Sequence, residues 1–390
     1  IIHDSKCSGI SLGKEETTGD NDFTKRGRKP GYQYQLEAVF KALSAGWSKE
    51  KIGSHIVRGN KIYDCGQNGV VGHMGSAFCE IYGNEIFRIG TRHEFYGHEL
   101  GGIKLHAAVD TYVHDNYLHE CTLGMWFDWQ AQGLRVSANI FEGNDRDLFV
   151  EVSHGPYLID NNIFASAYSF DNASQGGAYV NNLVCGLFNH YPVLNRATPY
   201  HLPHSTLPAG TAPVYGGDDR WLQNIFVGGD EEGKFYGTSE YNGSPSSLEE
   251  YIAEVRSLGY GDLEQFEQVK QPAYIRGNVY LNGAKPFEGE AGCLVSGESA
   301  GVTIDRRADG VYLEIALPAA MFGLEGEVVT SGLLGMTRIS EGRFEAPDGS
   351  DIKIDTDLVG EAFAGTVLAG PLQRLHAGKN RVKIWSFEGK

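Results

Sequence analysis

An asparagine recurs along this chain inside one local pattern, apolar–polar–Asn–apolar, and that recurrence constrains the fold more than any other feature. The clearest copies are HIVRGNKIYDC (55–65), CEIYGNEIFRI (79–89), TYVHDNYLHEC (111–121), LRVSANIFEGN (134–144), YLIDNNIFASA (157–167) and AYVNNLVCG (178–186), with weaker ones at 220–229 and 273–283. The aligned residues Asn60, Asn84, Asn116, Asn139, Asn162, Asn182, Asn224 and Asn278 are separated by 24, 32, 23, 23, 20, 42 and 54 residues. A period near 23 with several short strands per repeat and no helical pattern predicts the coils of a right-handed parallel β-helix. One coil cannot bury its own apolar side chains, so stacking must do it. A buried Asn at a fixed turn position can bond the same Asn one rung away, and Asn60, Asn84, Asn116, Asn139 and Asn162 are expected to form such a ladder. The Leu spacing of leucine-rich repeats is absent, and a β-propeller needs a period of about 40. The 52 glycines are scattered, which suits a fold rich in tight turns and not collagen.

The longer gaps read as insertions at 90–101, 187–220 and 230–270. The second is expected to be an irregular Pro- and His-containing loop. The third should hold a helix at SSLEEYIAEVRSLG, capped by Ser246 or Ser247, with Glu249 and Glu250 in its first turn. YQLEAVFKALSAG (34–46) also has helical periodicity and should decorate or cap the stack. From about 290 the repeat stops. VTIDRRADGVYLEIALP and TRISEGRFEAPDGSDIKI read as hairpins turning at Asp309-Gly310 and Asp348-Gly349. The expected division is therefore a β-helix domain at 1–289 and a β-rich, sandwich-like region at 290–390.

The formal charge of −17 argues against nucleic-acid or anionic-membrane partners and favours a neutral or cationic ligand. No apolar run is long enough for a membrane span. The six cysteines form no CxxC pair or zinc spacing, so they read as reduced core thiols in a reducing, cytoplasmic compartment, with neither a metal nor another cofactor called for. The chain opens at Ile1 on a strand-like segment. It is expected to continue a longer chain, whose exposed strand edges need a covering segment or a second copy.

Aligning the coils on Asn also aligns the strands before it: GIKLH (102–106), GMWFD (124–128) and DLFVE (147–151). Leu105, Phe127 and Val150 should point inward, so Trp126 and Asp128 share the outer face, as do Phe149 and Glu151 one rung on. Asp128 and Glu151 are 23 residues apart, one coil. Parallel neighbours lie about 4.8 Å apart, close to the roughly 5–5.5 Å that a retaining glycosidase needs between its two carboxyl groups. Two acids so close also push one proton affinity up, which suits a general acid. A solvated acidic sheet face would produce the same pattern. Asp171, eleven residues before Asn182, stands as a rival on the next rung. His73 and His106 continue the stack below Asp128, where His106 could bond the Asp128 carboxylate. Trp126 offers a sugar platform or plain packing, and His154 stands just past Glu151. His201 and His204 lack a third metal ligand and should brace a loop.

The residues WFDWQAQG, FVEVSHGP, YGHELGGIKLH and KPGYQYQLEAVFKAL…GWSKEKIGSHIVRGNKIYDCGQNGVVGH resemble glycoside hydrolase family 120, the β-helix β-xylosidases. The resemblance runs through most of the chain. It implies a retaining exo-β-xylosidase acting on xylo-oligosaccharides or aryl β-xylosides. It also implies Asp128 as nucleophile, Glu151 as acid/base, and His98 and Glu99 as sugar contacts. The family's chains are longer, with an N-terminal part that begins the β-helix and carries a β-sandwich. A polysaccharide lyase on this fold, with Lys104 near the site, and a carbohydrate-binding β-helix without turnover are the alternatives.

Overall fold

The computed structural model describes residues 1–14, 30–94, 99–229, 235–259 and 263–387. The chain winds into a right-handed parallel β-helix with three faces, formed by parallel sheets of ten, eight and seven strands. The site lies on the seven-stranded face. Its strands, in spatial order, are β1 (Ser8–Lys14), β2 (Asn68–His73), β3 (Gly101–His106), β4 (Met125–Asp128), β5 (Leu148–Glu151), β6 (Tyr168–Ala173) and β7 (Leu187–His190). Ile103, Leu105, Met125, Phe127, Leu148 and Val150 point into one core that runs the length of the stack, all fully buried.

The asparagine ladder forms, and it is longer than expected. At each step along its eight asparagines, the backbone N–H and side-chain Nδ2 of one Asn both donate to the Oδ1 of the next, at 2.8–3.1 Å. Asn182 and the weaker copies at Asn224 and Asn278 therefore belong to it. Asn278 has no further Asn, and Glu290 Oε1 takes its place, accepting at 3.0 and 2.8 Å. The residue before every ladder Asn lies in the left-handed region, with φ from 52° at Asp115 to 68° at Gly277. That one residue turns the chain between strands, and the Asn side chain satisfies the turn's backbone.

Glycines explain another corner. Gly9, Gly69, Gly102 and Gly124 stack where each coil enters the seven-stranded face. A Cβ on any of them would fall within 2.8 Å of a carbonyl oxygen one rung on.

Helix α1 (Gly31–Ala45) ends at Gly46 in the left-handed conformation and lies along the side of the stack, not over its end. The helix expected near 247 is α2 (Leu248–Ser257), with the Ser247 hydroxyl accepting from the Glu250 N–H. The expected irregular loop is a correction. Residues 187–190 are strand β7, and most of the remaining insertion is an antiparallel hairpin, β8 (Val193–His201) with β9 (Pro208–Val214). Its prolines disguise the strands, since a Pro is tolerated where a two-stranded ribbon needs no further ladder bond.

The C-terminal region forms a three-stranded antiparallel sheet, β10 (Thr303–Arg307), β11 (Gly310–Leu317) and β12 (Gly378–Trp385), with the Asp309-Gly310 turn as expected. Val311, Leu313 and Ile315 pack on Ile140, Ile163, Leu183 and Ile225, outer residues of the ten-stranded face. Phe344, Ile352 and Ile354 cover Leu158, Val180 and Leu222 of the eight-stranded face. The C-terminal region thus packs on two of the three faces, while α1 and the β8–β9 hairpin pack on the seven-stranded one, where the site lies. Among the described residues no helix is long and apolar enough to cross a membrane. All six cysteines are free thiols.

Candidate active site

Strand pairing sets the register that the site needs. Asp128 is the direct partner of Glu151 on one side and of His106 on the other, and His106 in turn pairs with His73. Trp126 pairs with Lys104 and Phe149. With Phe127 and Val150 inside, the two carboxylates share the outer face on consecutive rungs.

Each strand then ends in a kink. Met74, Ala107, Trp129 and Val152, the residues just after His73, His106, Asp128 and Glu151, have φ of 64°, 53°, 53° and 46°. For β-branched Val152 this is a strained conformation, of the kind that persists only where surrounding structure enforces it. Here the enforcement is visible. The four side chains are buried in a side core with Val39 and Ala42 of α1, Trp47 and Val214 of β9. The kinked N–H groups of Trp129 and Val152 each donate to the next rung, at 2.8 Å. Helix and hairpin thus clamp the ends of β4 and β5, where the acids sit.

Around Asp128 the charges are closely matched. Lys104, fully buried, donates to Asp128 Oδ2 at 2.6 Å and lies 3.5 Å from Glu99 Oε2. The His106 Nε2 is 3.0 Å from the same Glu99 oxygen and 3.6 Å from Asp128 Oδ2. Burial pushes the Glu99 carboxyl up, but the hydrogen bond and charge of His106, with those of Lys104, outweigh it and hold the group at about 2. Its side chain is still 45% exposed, so a ligand can reach it. Glu99, His106 and Asp128 are close enough to share a cation. The Lys104 ammonium already lies beside two of them.

Glu151 has a different surrounding. Burial first, and then the negative charge of Asp128, raise its proton affinity above that of an ordinary carboxylate, while Arg196 and Lys104 oppose the rise. Arg196, on β8, donates to Glu151 Oε1. The indole N–H of Trp126 and the Nε–H of Arg196 are buried without a partner among the described residues, an uncommon state for such donors.

Several expectations are corrected. Asp171 stands on the next rung as expected but not in line with the acids: Ala173 pairs with Glu151, and Asp171 pairs with Phe149. The turn from β6 into its coil is shorter than the one after β5, which moves the strand by two residues relative to the Asn. Asp171 instead accepts from Arg146, Tyr168 and Asn189. Trp126 is not an open platform. Lys104 Nζ lies 3.3 Å from its ring centroid and Phe149 stacks on it at 5.2 Å, so both faces are used and only an edge remains. His154 does not tune Glu151. Its Nε2 donates to Thr198 O at 3.0 Å and its Nδ1 accepts from Gln175 at 2.8 Å, and burial lowers its proton affinity to about 4. His201 and His204 brace the hairpin as expected, through Thr206 and Gln130 and through Asp110 and Glu345. His98 lies outside the described residues. Arg196 was hidden, because the hairpin has no repeat to align. Lys104 was legible as an outward-facing charge two residues before His106.

A model of the right handed beta helix region matches residues 42–164. No curated protein matches the chain. Among solved structures the chain is similar to one described as the complex structure of XylC with xylose, at 54% identity and a TM-score of 0.95. The match covers 98% of this chain and 60% of that one, so the chain spans about three fifths of that relative's length.

Proposed function

The chain belongs to glycoside hydrolase family 120, and on that premise we propose that it is a retaining, exo-acting β-xylosidase that releases xylose from short xylo-oligosaccharides. The observation that carries this reading is the register of Asp128 with Glu151 on adjacent parallel strands of the seven-stranded face. A separation of about 5 Å suits attack by one carboxylate and protonation by the other, with no room for the water that an inverting enzyme holds between them.

Asp128 attacks the anomeric carbon. Glu151 gives its proton to the leaving oxygen, and a xylosyl-enzyme forms. Glu151 then takes a proton from the incoming water. The raised proton affinity of Glu151 suits the donor role. Glu99 and His106, held together at 3.0 Å, are the groups we assign to the sugar hydroxyls beside Asp128, together with His98, the residue before Glu99 in sequence. The xylose-bound relative supports xylose as the sugar released. The hairpin of β8 and β9 bounds the face on the Glu151 side and supports action at a chain end. For a lyase, Lys104 would need to be a free base, but it is tied to carboxylates. Binding without turnover on a panel of aryl glycosides would point to the non-catalytic alternative.

Replacing Asp128 with Ala tests the assignment. Turnover of an aryl β-xyloside should fall by at least about 10⁴-fold with folding retained. Near-normal activity would remove Asp128 from its role. For Glu151→Ala, azide should restore turnover of an activated substrate and yield a glycosyl azide of retained configuration.

A further inference from the structure

The inserted hairpin brings one charged side chain to the carboxylate pair. Arg196 donates to Glu151 Oε1, and its guanidinium lies 4.3 Å from the ring centroid of Tyr32 on α1. It is only 10% exposed. Lys104 holds Asp128 at 2.6 Å. Each carboxylate therefore has its own cation, one from the neighbouring rung and one from outside the stack. We propose that Arg196 is a positioning residue that orients Glu151 and receives the negative charge passing from Asp128 to Glu151 when the glycosyl-enzyme forms. This rests on the carboxylate roles proposed above.

The charge balance gives the reason. As an Asp128 oxygen bonds the anomeric carbon, its charge is lost in a neutral ester. The bond to the leaving oxygen breaks, its electron pair takes the Glu151 proton, and Glu151 is left as a carboxylate. One negative charge has moved from beside Lys104 to beside Arg196. In the second half water attacks, Glu151 takes the proton, and the electron pair of the ester bond returns to Asp128. A fixed cation at Glu151 strengthens it as an acid in the first half and keeps it ionised as a base in the second. Among the described residues, the charged and titratable groups facing Glu151 are Asp128 on β4, Lys104 on β3, Arg196 on β8 and Tyr191 just before β8. Of the two cations, Arg196 has the larger influence, so its removal raises the proton affinity of Glu151 further.

The test is the pH dependence of kcat/KM on an aryl β-xyloside, in the full-length protein, for Arg196→Met, Arg196→Lys and Tyr32→Leu. A free-enzyme acid must carry its proton, so kcat/KM falls as pH rises through its titration. Arg196→Met should move that limb up by about one pH unit. Arg196→Lys should keep it in place, and Tyr32→Leu, which removes the stack, should move it up by less. A limb that stays put or moves down in Arg196→Met overturns the proposal, whatever happens to the rate. If Arg196→Met does not fold, the other two variants decide: an unmoved limb in Tyr32→Leu, or a limb raised in Arg196→Lys as far as in Tyr32→Leu, overturns it equally. Glu151→Gln with an activated leaving group separates the two readings. A basic limb that persists there removes Glu151 from the acid role, and this inference with it. A limb that vanishes there but does not shift in Arg196→Met overturns the Arg196 inference alone.

Discussion

At the scale of single residues, the site is organised by buried cations as much as by its acids. Lys104 is fully buried among Asp128, Glu99 and the face of Trp126. A buried charge without partners is costly, and removing one member of such a set strands the others. Lys104→Met is therefore expected to lower kcat/KM by at least about a hundredfold on an aryl β-xyloside, because Asp128 and Glu99 would be left without the ammonium between them. The same ammonium leaves little place for a metal at the three carboxylate and imidazole ligands, so dialysis against a chelator should leave turnover unchanged. Much of this was legible from alternation, which put Lys104 with His106 and Trp126 with Asp128 on one face. Contact geometry was not. Nothing in the order GIKLH tells that the lysine sets its ammonium over the next rung's indole, since that depends on which rotamers the neighbouring rungs leave free.

At the scale of elements, the ladder and the hairpin differ in how the sequence encodes them. The ladder was readable because every rung repeats one turn, a left-handed residue followed by Asn. Its energetics come from burial. Asn139 accepts two bonds from Asn116 and gives two to Asn162, all in the interior. Asn139→Ala should destabilise by about 3 kcal/mol or more, whereas Asn60→Ala, on a half-buried rung, should cost about 1 kcal/mol, as read by thermal or denaturant unfolding. The hairpin was not readable, because its prolines break the alternation and its partners lie far away in sequence. His154 and His201 pin it with both ring nitrogens, and burial holds each near 4 against an ordinary 6.5. Both are neutral in the folded state. Between about pH 6.5 and 4 the unfolded chain binds protons that the folded one does not, so stability is full above 6.5 and falls as pH drops toward 4, by about 3 kcal/mol for each histidine. Proteolytic nicking in β8 and β9 should increase across that window.

At the scale of the molecule, the C-terminal region decides which faces meet solvent. The position after the ladder Asn records this: Lys61 and Glu85 in the first coils, then Tyr117, Ile140, Ile163, Leu183, Ile225 and Val279. The switch from charge to apolar marks where β11 lies on the stack. That cover was only half legible, since hairpin turns can be read but the surface they dock on cannot. Ending the chain at residue 302 should expose this apolar row and yield aggregated protein by sedimentation. Ile315→Asp should do so more mildly. One property belongs to the stack as a whole. Every rung amide faces the same way, nitrogen toward the following coil and oxygen toward the preceding one, so the side-chain dipoles add from Asn60 to Asn278. The positive pole falls at Asn278, against the Glu290 carboxylate. A single amide turned over would set nitrogen against nitrogen on one side and oxygen against oxygen on the other, so the column is vectorial: it can be extended only with matching polarity, and an anion is a natural stop at its far pole.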